Sequence, residues 1–326
     1  MSTQICRDLD TPRVESCERG WWEGLRALPT LPAALFRYLG LVGDNSVGTQ
    51  EFADFIWTDP ALLSRALPLV TFSEIGEGSG SLREGIASLG RAPLRRLAFS
   101  TPLLRSSDAS GAGLSATALW ERSQICAVAC ETAARQLGMA EPERCYVAGM
   151  LHDIGYIAMF QQQPALLAAI RERSMSQPTR RLEMEEDLMG LDHCQLGVEV
   201  AKGLGLSPWL YPAIAGHHRP SQDSDPLTRI TSLGSLFCAV QGVDLFARRR
   251  SLFGPREGEL HELVSVLFPM LVEAERGALL QRMAESVRPI RTTVRDTVTE
   301  LQISSRMRIP PGSFRPQVQA AAVVLA

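Results

Sequence analysis

The chain has 326 residues, of which 45% are hydrophobic and 21% charged, and its formal net charge is −3. This balance excludes a disordered chain, and the near-neutral charge provides no global field that would attract nucleic acid. The N-terminus is polar, and the chain has no long apolar run. We therefore predict that it has no signal peptide and no membrane span, and we expect a cytoplasmic protein.

The first third of the chain predicts short helices. Residues 1–24 are expected to form a lead-in, and residues 25–105 an N-terminal helical part. Thr58-Asp59-Pro60 indicates the end of one helix and the capped start of another, since Asp caps helices and Pro fits the first turn. Ser81 with Glu84 three residues later predicts a capping box. A segment rich in serine and glycine predicts a connector at 106–118.

Residues 119–246 predict a larger helical part, because apolar residues recur there at helical spacing. The predicted helices are Trp120–Leu137, Tyr146–Phe160, Ala165–Arg173, Asp192–Leu204, Leu210–His218 and Leu227–Val243. No run has the two-residue period of a half-buried strand, so the fold is predicted to be all-α. The acidic segment Glu183–Asp187 is interpreted as a solvated helix face, and the seven scattered cysteines as incidental thiols.

Residues 247–326 are predicted to form C-terminal helices and a tail. Apolar residues from Leu280 to Leu301 recur in steps of three and four, which resembles a heptad seam, and Pro289 should kink or split that helix. We expect the seam to pack on its own domain, and a homodimer through these helices is the alternative.

Histidine is the commonest metal ligand and proton shuttle, and the chain has only five. His261 lies in a charged stretch and is assigned no role. The other four are His152 beside Asp153, His193 after Asp192, and the pair His217-His218.

The ordered motifs resemble those of HDOD domains, a branch of the HD-phosphohydrolase superfamily. LHDIG at 151–155 resembles the HD signature, and Asp192-His193 and His217-His218 resemble the downstream histidines of the family. Further matches are LPTLP at 28–32, DPALLSRAL at 59–67 and SLREGIASLG at 81–90. The resemblance covers about Leu25 to Phe246. It implies an HD-superfamily helical bundle preceded by a smaller N-terminal helical sub-domain, with extra C-terminal helices.

The chain departs from the metal-binding pattern that this resemblance implies. HD phosphohydrolases hold one divalent metal with a first His, the HD pair and a late Asp. The first His falls at Arg122, and no histidine precedes residue 152. The late Asp falls near Gly234-Ser235, where no acid occurs. A guanidinium stays protonated and repels a cation, so we expect Arg122 to pair with Asp153 in the metal's place.

We therefore expect a non-catalytic bacterial signal-transduction module, with no cofactor, that binds a protein partner or a small anionic ligand. The expected pocket consists of Arg122, His152, Asp153, His193, His217 and His218. The alternative is a residual phosphohydrolase or phosphodiesterase with one divalent transition metal at Asp153, His193, His217 and His218. A nucleic-acid-binding regulator is a third reading, which the near-neutral charge disfavours.

Overall fold

The computed structural model describes residues 21–70, 81–104, 115–174, 180–221, 223–243 and 257–306, with side chains up to residue 290. Helices dominate these ranges, and no strand occurs within them; Thr30 and Leu103 form an isolated bridge. The all-α prediction is confirmed. Among the described helices, none combines the length and the apolar character that crossing a bilayer requires.

Short helices form the N-terminal part, as predicted. A 3₁₀ turn at Trp21–Gly24 precedes α1 (Pro32–Gly43), α2 (Thr49–Trp57), α3 (Pro60–Ala66), α4 (Leu82–Ser88) and α5 (Arg91–Ser100). The longer α6 (Ala116–Gln136) follows, and it begins inside the predicted connector, most of which lies outside the described residues.

Further helices follow α6. They are α7 (Pro142–Leu151), α8 (Ile154–Gln162), α9 (Pro164–Ser174), α10 (Arg181–Met189), α11 (His193–Gly203), α12 (Tyr211–Gly216), α13 (Pro226–Val240), α14 (Glu257–Leu267) and α15 (Glu273–Arg306). Three of them, α7, α13 and α15, pack against α6. The last helix continues through Pro289 without splitting.

Asp59 joins the N-terminal part to α6. One carboxylate oxygen caps α3 by accepting the amides of Ala61 and Leu62, both at 2.9 Å. The other accepts the hydroxyl of Thr30 and the indole N–H of Trp120, the latter at 2.9 Å. Burial raises the pKa of Asp59, and these hydrogen bonds act against that rise. The predicted cap is confirmed, and it also fixes α6 against the first helices.

Two apolar clusters form the described core. The first extends from Leu25 to Ile214 and includes residues on both sides of the predicted connector. The second joins α6 and α13 to α14 and α15. The seam residues Leu280, Met283 and Val287 are buried in this second cluster, as expected for a helix that packs on its own domain. The domain boundaries themselves stay a prediction.

The single helix predicted over Tyr146–Phe160 is wrong, because the chain breaks at His152-Asp153 into α7 and α8. The backbone at Asp153 has φ −101° and ψ 23°, outside the helical region. The turn brings α8 against α11, where Gly155 lies so close that a Cβ would collide with the carbonyl oxygen of His193. No proline marks this break in the sequence, so helical periodicity alone could not predict it.

We expect Gly155→Ala to lower the free energy of unfolding by about 1–3 kcal/mol, since the added methyl meets backbone that cannot rotate away. Gly40→Ala is the matched control, because Gly40 lies in α1 with nothing within 4 Å of its added Cβ. It should stabilise the protein by about 0.5–1 kcal/mol through helix propensity. Urea unfolding followed by circular dichroism measures both. Equal effects of the two changes would contradict the close approach of α8 and α11.

Candidate functional site

The six predicted site residues lie together in one cluster where five helices meet. They are Arg122 from α6, His152 and Asp153 between α7 and α8, His193 at the start of α11, and His217 and His218 directly after α12. All are buried except the half-buried His218. His261 is exposed on α14, apart from this cluster.

Arg122 and Asp153 form the buried ion pair that the sequence predicts. Nε of Arg122 lies 2.6 Å from Oδ2 of Asp153. The guanidinium also donates from Nη2 to the hydroxyl of Ser235 at 2.8 Å and from Nη1 to the carbonyl of Val243 at 3.2 Å. Ser235 stands where the late metal-binding Asp was expected. A fixed cation and a hydroxyl therefore lie where the family resemblance led us to expect an imidazole and a carboxylate.

The electrostatics of the pair keep Asp153 ionised. Burial alone would raise the pKa of Asp153, but His152, which is protonated in acid, and the permanently charged guanidinium of Arg122 outweigh it and hold that pKa well below its usual range. Burial lowers the pKa of His152 to about 4, so this ring is neutral at neutral pH. The positive charge that balances Asp153 on this side is consequently that of Arg122.

The site histidines are oriented by hydrogen bonds on their outer sides. Nδ1 of His152 and Nδ1 of His217 lie 2.8 Å from the carbonyl oxygens of Gly149 and Ile214, to which they donate. Nδ1 of His193 lies 2.6 Å from Oε2 of Glu185. Nε2 is therefore the atom of each ring that faces Asp153. Such outer hydrogen bonds are typical of histidines that ligate metals.

Both carboxylate oxygens of Asp153 lie near Nε2 atoms of His152, His193 and His217. Oδ2 lies 3.0 Å from His152, whose neutral Nε2 carries no proton, so this contact is not a hydrogen bond. Oδ1 lies 3.6 Å from His193 and 3.4 Å from His217. It is buried and makes no hydrogen bond within the described residues.

Glu185 corrects the interpretation of Glu183–Asp187 as a solvated face. Its side chain is fully buried and accepts the hydroxyl of Tyr156, the backbone amide of His193 at 2.8 Å and the ring N–H of the same histidine. Burial would raise the pKa of Glu185, but His193 outweighs it and lowers that pKa. No pattern in an acidic helix distinguishes the one buried carboxylate from its exposed neighbours.

Cys194 is the other residue that sequence reasoning missed. It is buried at the start of α11, and its Sγ lies 3.5 Å from Nε2 of His193 and 4.0 Å from Nε2 of His217. Burial would raise the pKa of this thiol, but the two histidines lower it to about 7. Burial alone would lower the pKa of His217, but Cys194 and Asp153 raise it to about 9. In the sequence, the position of Cys194 next to His193 was the available signal for this residue.

The two sides of Asp153 differ in how well they fit a metal ion. On the Oδ2 side, Arg122 directs N–H donors at the carboxylate and at Ser235, and this donor set does not fit a cation. On the Oδ1 side, the Nε2 atoms of His193 and His217 together with Oδ1 fit a transition metal in chemistry and spacing. Of the two sides, the Oδ1 side has the donor set that fits an ion better, although His152, Asp153 and His217 also lie within ligand spacing of one another.

Comparisons with known proteins agree with this architecture. A family model described as HDOD domain matches residues 28–220. The structure is similar to that of the MmoQ response regulator from Methylococcus capsulatus strain Bath, with a TM-score of 0.59 and 19% identity over 78% of this chain and 98% of that one. It is also similar to a virulence factor from Campylobacter jejuni, with a TM-score of 0.54 and 14% identity over 84% and 96% of the two chains. A search of curated proteins gives no match.

We expect Arg122→Met to lower the free energy of unfolding by about 3–5 kcal/mol, because it leaves Asp153 as a buried charge without its ion-pair partner. The control is Arg135→Met on the same helix, which breaks an exposed pair with Glu131 and should cost about 0.3–0.5 kcal/mol. Urea unfolding at neutral pH compares the two. A cost for Arg122→Met as small as that of the control would show that the buried pair does not hold the site.

Proposed function

The chain belongs to the HDOD domain family, and we propose that it is a non-hydrolytic signal-transduction module that binds a protein partner or a small anionic ligand. The observation that carries this proposal is the buried contact of Arg122 with Asp153 and Ser235. It takes up two of the positions that metal-dependent hydrolysis in the HD superfamily requires.

Arg122 acts against hydrolysis in two ways. Its guanidinium cannot be deprotonated in the physiological range, so it adds a permanent positive charge where a divalent cation would have to bind. Its N–H groups also engage one oxygen of Asp153, which is then less available as a ligand. Metal-dependent hydrolysis needs the ion to activate water and to polarise a phosphate oxygen.

The open side of the cluster lies at His218. Nε2 of His218 lies 3.5 Å from the guanidinium of Arg181 on α10, and Arg219 follows directly in the chain. Arg219 is exposed and contacts Glu186 at 3.2 Å and Asp192 at 3.1 Å. A carboxylate or phosphate that approaches here meets the guanidinium groups of Arg181 and Arg219, which bind such groups strongly. This supports an anionic ligand or an acidic segment of a partner.

The proposed partner is a protein of a bacterial signalling pathway. The shared fold with a protein named as a response regulator supports this class of partner. The family membership implies the same role, since HDOD domains are generally viewed as regulatory output units.

Residual hydrolysis is a second candidate, because one oxygen of Asp153 remains unengaged. Oδ1 and the Nε2 atoms of His193 and His217, with His218 beside them, are the groups that would hold a divalent transition metal. An ion there would supply an activated water. In this reading the chain is a phosphohydrolase or phosphodiesterase that works with half of the usual ligand set.

Turnover assays separate the two candidates. The full chain is incubated with Mn²⁺, Fe²⁺, Ni²⁺ or Zn²⁺ and with bis(4-nitrophenyl) phosphate, a cyclic dinucleotide or a nucleoside monophosphate. We expect rates equal to the protein-free blank, and no change in Asp153→Asn. Metal-dependent turnover in the unmodified chain that is lost in Asp153→Asn would contradict the proposal and favour hydrolysis.

A further inference from the structure

Four potential metal ligands lie side by side on the open half of the cluster. One ligand atom each of His193, Cys194, His217 and His218 falls within 4.8 Å of all the others. We call these four residues the histidine–thiol cluster. It differs from the donor set that the family resemblance implies, which contains only histidine and aspartate, because a sulfur ligand is part of it.

The spacing within the cluster matches that around a small ion. Zinc binds sulfur at about 2.3 Å and imidazole nitrogen at about 2.0–2.1 Å, so a tetrahedral site separates S from N by about 3.5 Å. Sγ of Cys194 lies 3.5 Å from Nε2 of His193 and 4.0 Å from Nε2 of His217. Shifts of a few tenths of an ångström would bring both pairs onto one ion.

The surroundings of the cluster prepare its rings to act as ligands. Glu185 and the carbonyl of Ile214 hold the Nδ1–H groups of His193 and His217 and so present their Nε2 atoms inward. A carboxylate behind a ligating histidine also raises the basicity of the ring. Cys194 is 2% exposed, and its sulfur contacts the rings of His193 and His217.

We propose that the histidine–thiol cluster binds one zinc-like divalent ion, with Cys194 as a thiolate ligand. A thiolate with three imidazoles selects borderline and soft ions such as Zn²⁺ and Co²⁺ over Mg²⁺, Ca²⁺ and Mn²⁺. Four protein ligands complete a tetrahedral shell and leave no position for a reactive water, as in structural zinc sites. Binding displaces the protons of the thiol and the imidazoles. The ion would join the start of α11 to the segment after α12.

This proposal goes beyond the proposed function and does not depend on it. A closed site with four protein ligands is compatible with a module that binds without hydrolysis. In the alternative of residual hydrolysis, Asp153 and not Cys194 supplies the fourth ligand. The identity of that ligand is therefore the property to measure.

Cobalt titration of the full chain tests the sulfur ligand directly. Co²⁺ bound to a thiolate has an intense charge-transfer absorption in the near ultraviolet, and tetrahedral Co²⁺ has strong visible bands. We expect both to saturate at one ion per chain and to disappear when Zn²⁺ is added. Absence of the charge-transfer band from the folded, unmodified chain would overturn the proposal without any variant.

The variants assign the band to one residue. Cys194→Ser should abolish the charge-transfer band and weaken Zn²⁺ binding at least tenfold. Cys145→Ala removes a thiol buried in the second apolar cluster, away from the histidines, and should leave the titration unchanged. The proposal would be overturned if Cys194→Ser kept the band. It would also be overturned if Asp153→Asn lost metal binding while the titration of Cys194→Ser was unchanged. Circular dichroism verifies the folding of each variant, and the turnover assay is scored separately.

Discussion

The buried ion pair between Arg122 and Asp153 is the interaction on which the rest of the site depends. Each charge would cost several kcal/mol to bury alone, and the pair is tolerated only because the guanidinium also reaches Ser235 and Val243. These contacts connect α6, the break between α7 and α8, and the end of α13. The side chain of Arg122 therefore holds three parts of the bundle together.

A second constraint is the close approach of α8 and α11. It requires glycine at 155, since a side chain there would meet the backbone at His193. Only at this separation does His193, on the first turn of α11, come near Asp153 at the start of α8. The HD motif is thus a packing device as well as a set of polar side chains.

Much of the fold followed from local rules in the sequence. Asp59 and the pair Ser81–Glu84 identified helix starts correctly, because caps depend on a few adjacent residues. The cluster of histidines with Arg122 was also predictable from ordered motifs. Glu185 was not, since its burial depends on how α10 packs against α8 and α11. Cys194 was not, because a thiol becomes a candidate ligand only when neighbours from other helices surround it.

Under the proposed function, the asymmetry around Asp153 is what separates binding from hydrolysis. Hydrolysis by a metal needs an open coordination position as well as ligands. On the Oδ2 side Arg122 pairs with the carboxylate, and beside the Oδ1 side Cys194 and His218 lie at the spacing of metal ligands with His193 and His217. An ion held there would stiffen the connection between α11 and the segment after α12, next to the exposed Arg219. A change at the cluster would then alter the surface where a partner or anion is proposed to bind, which is the coupling that a regulatory module needs.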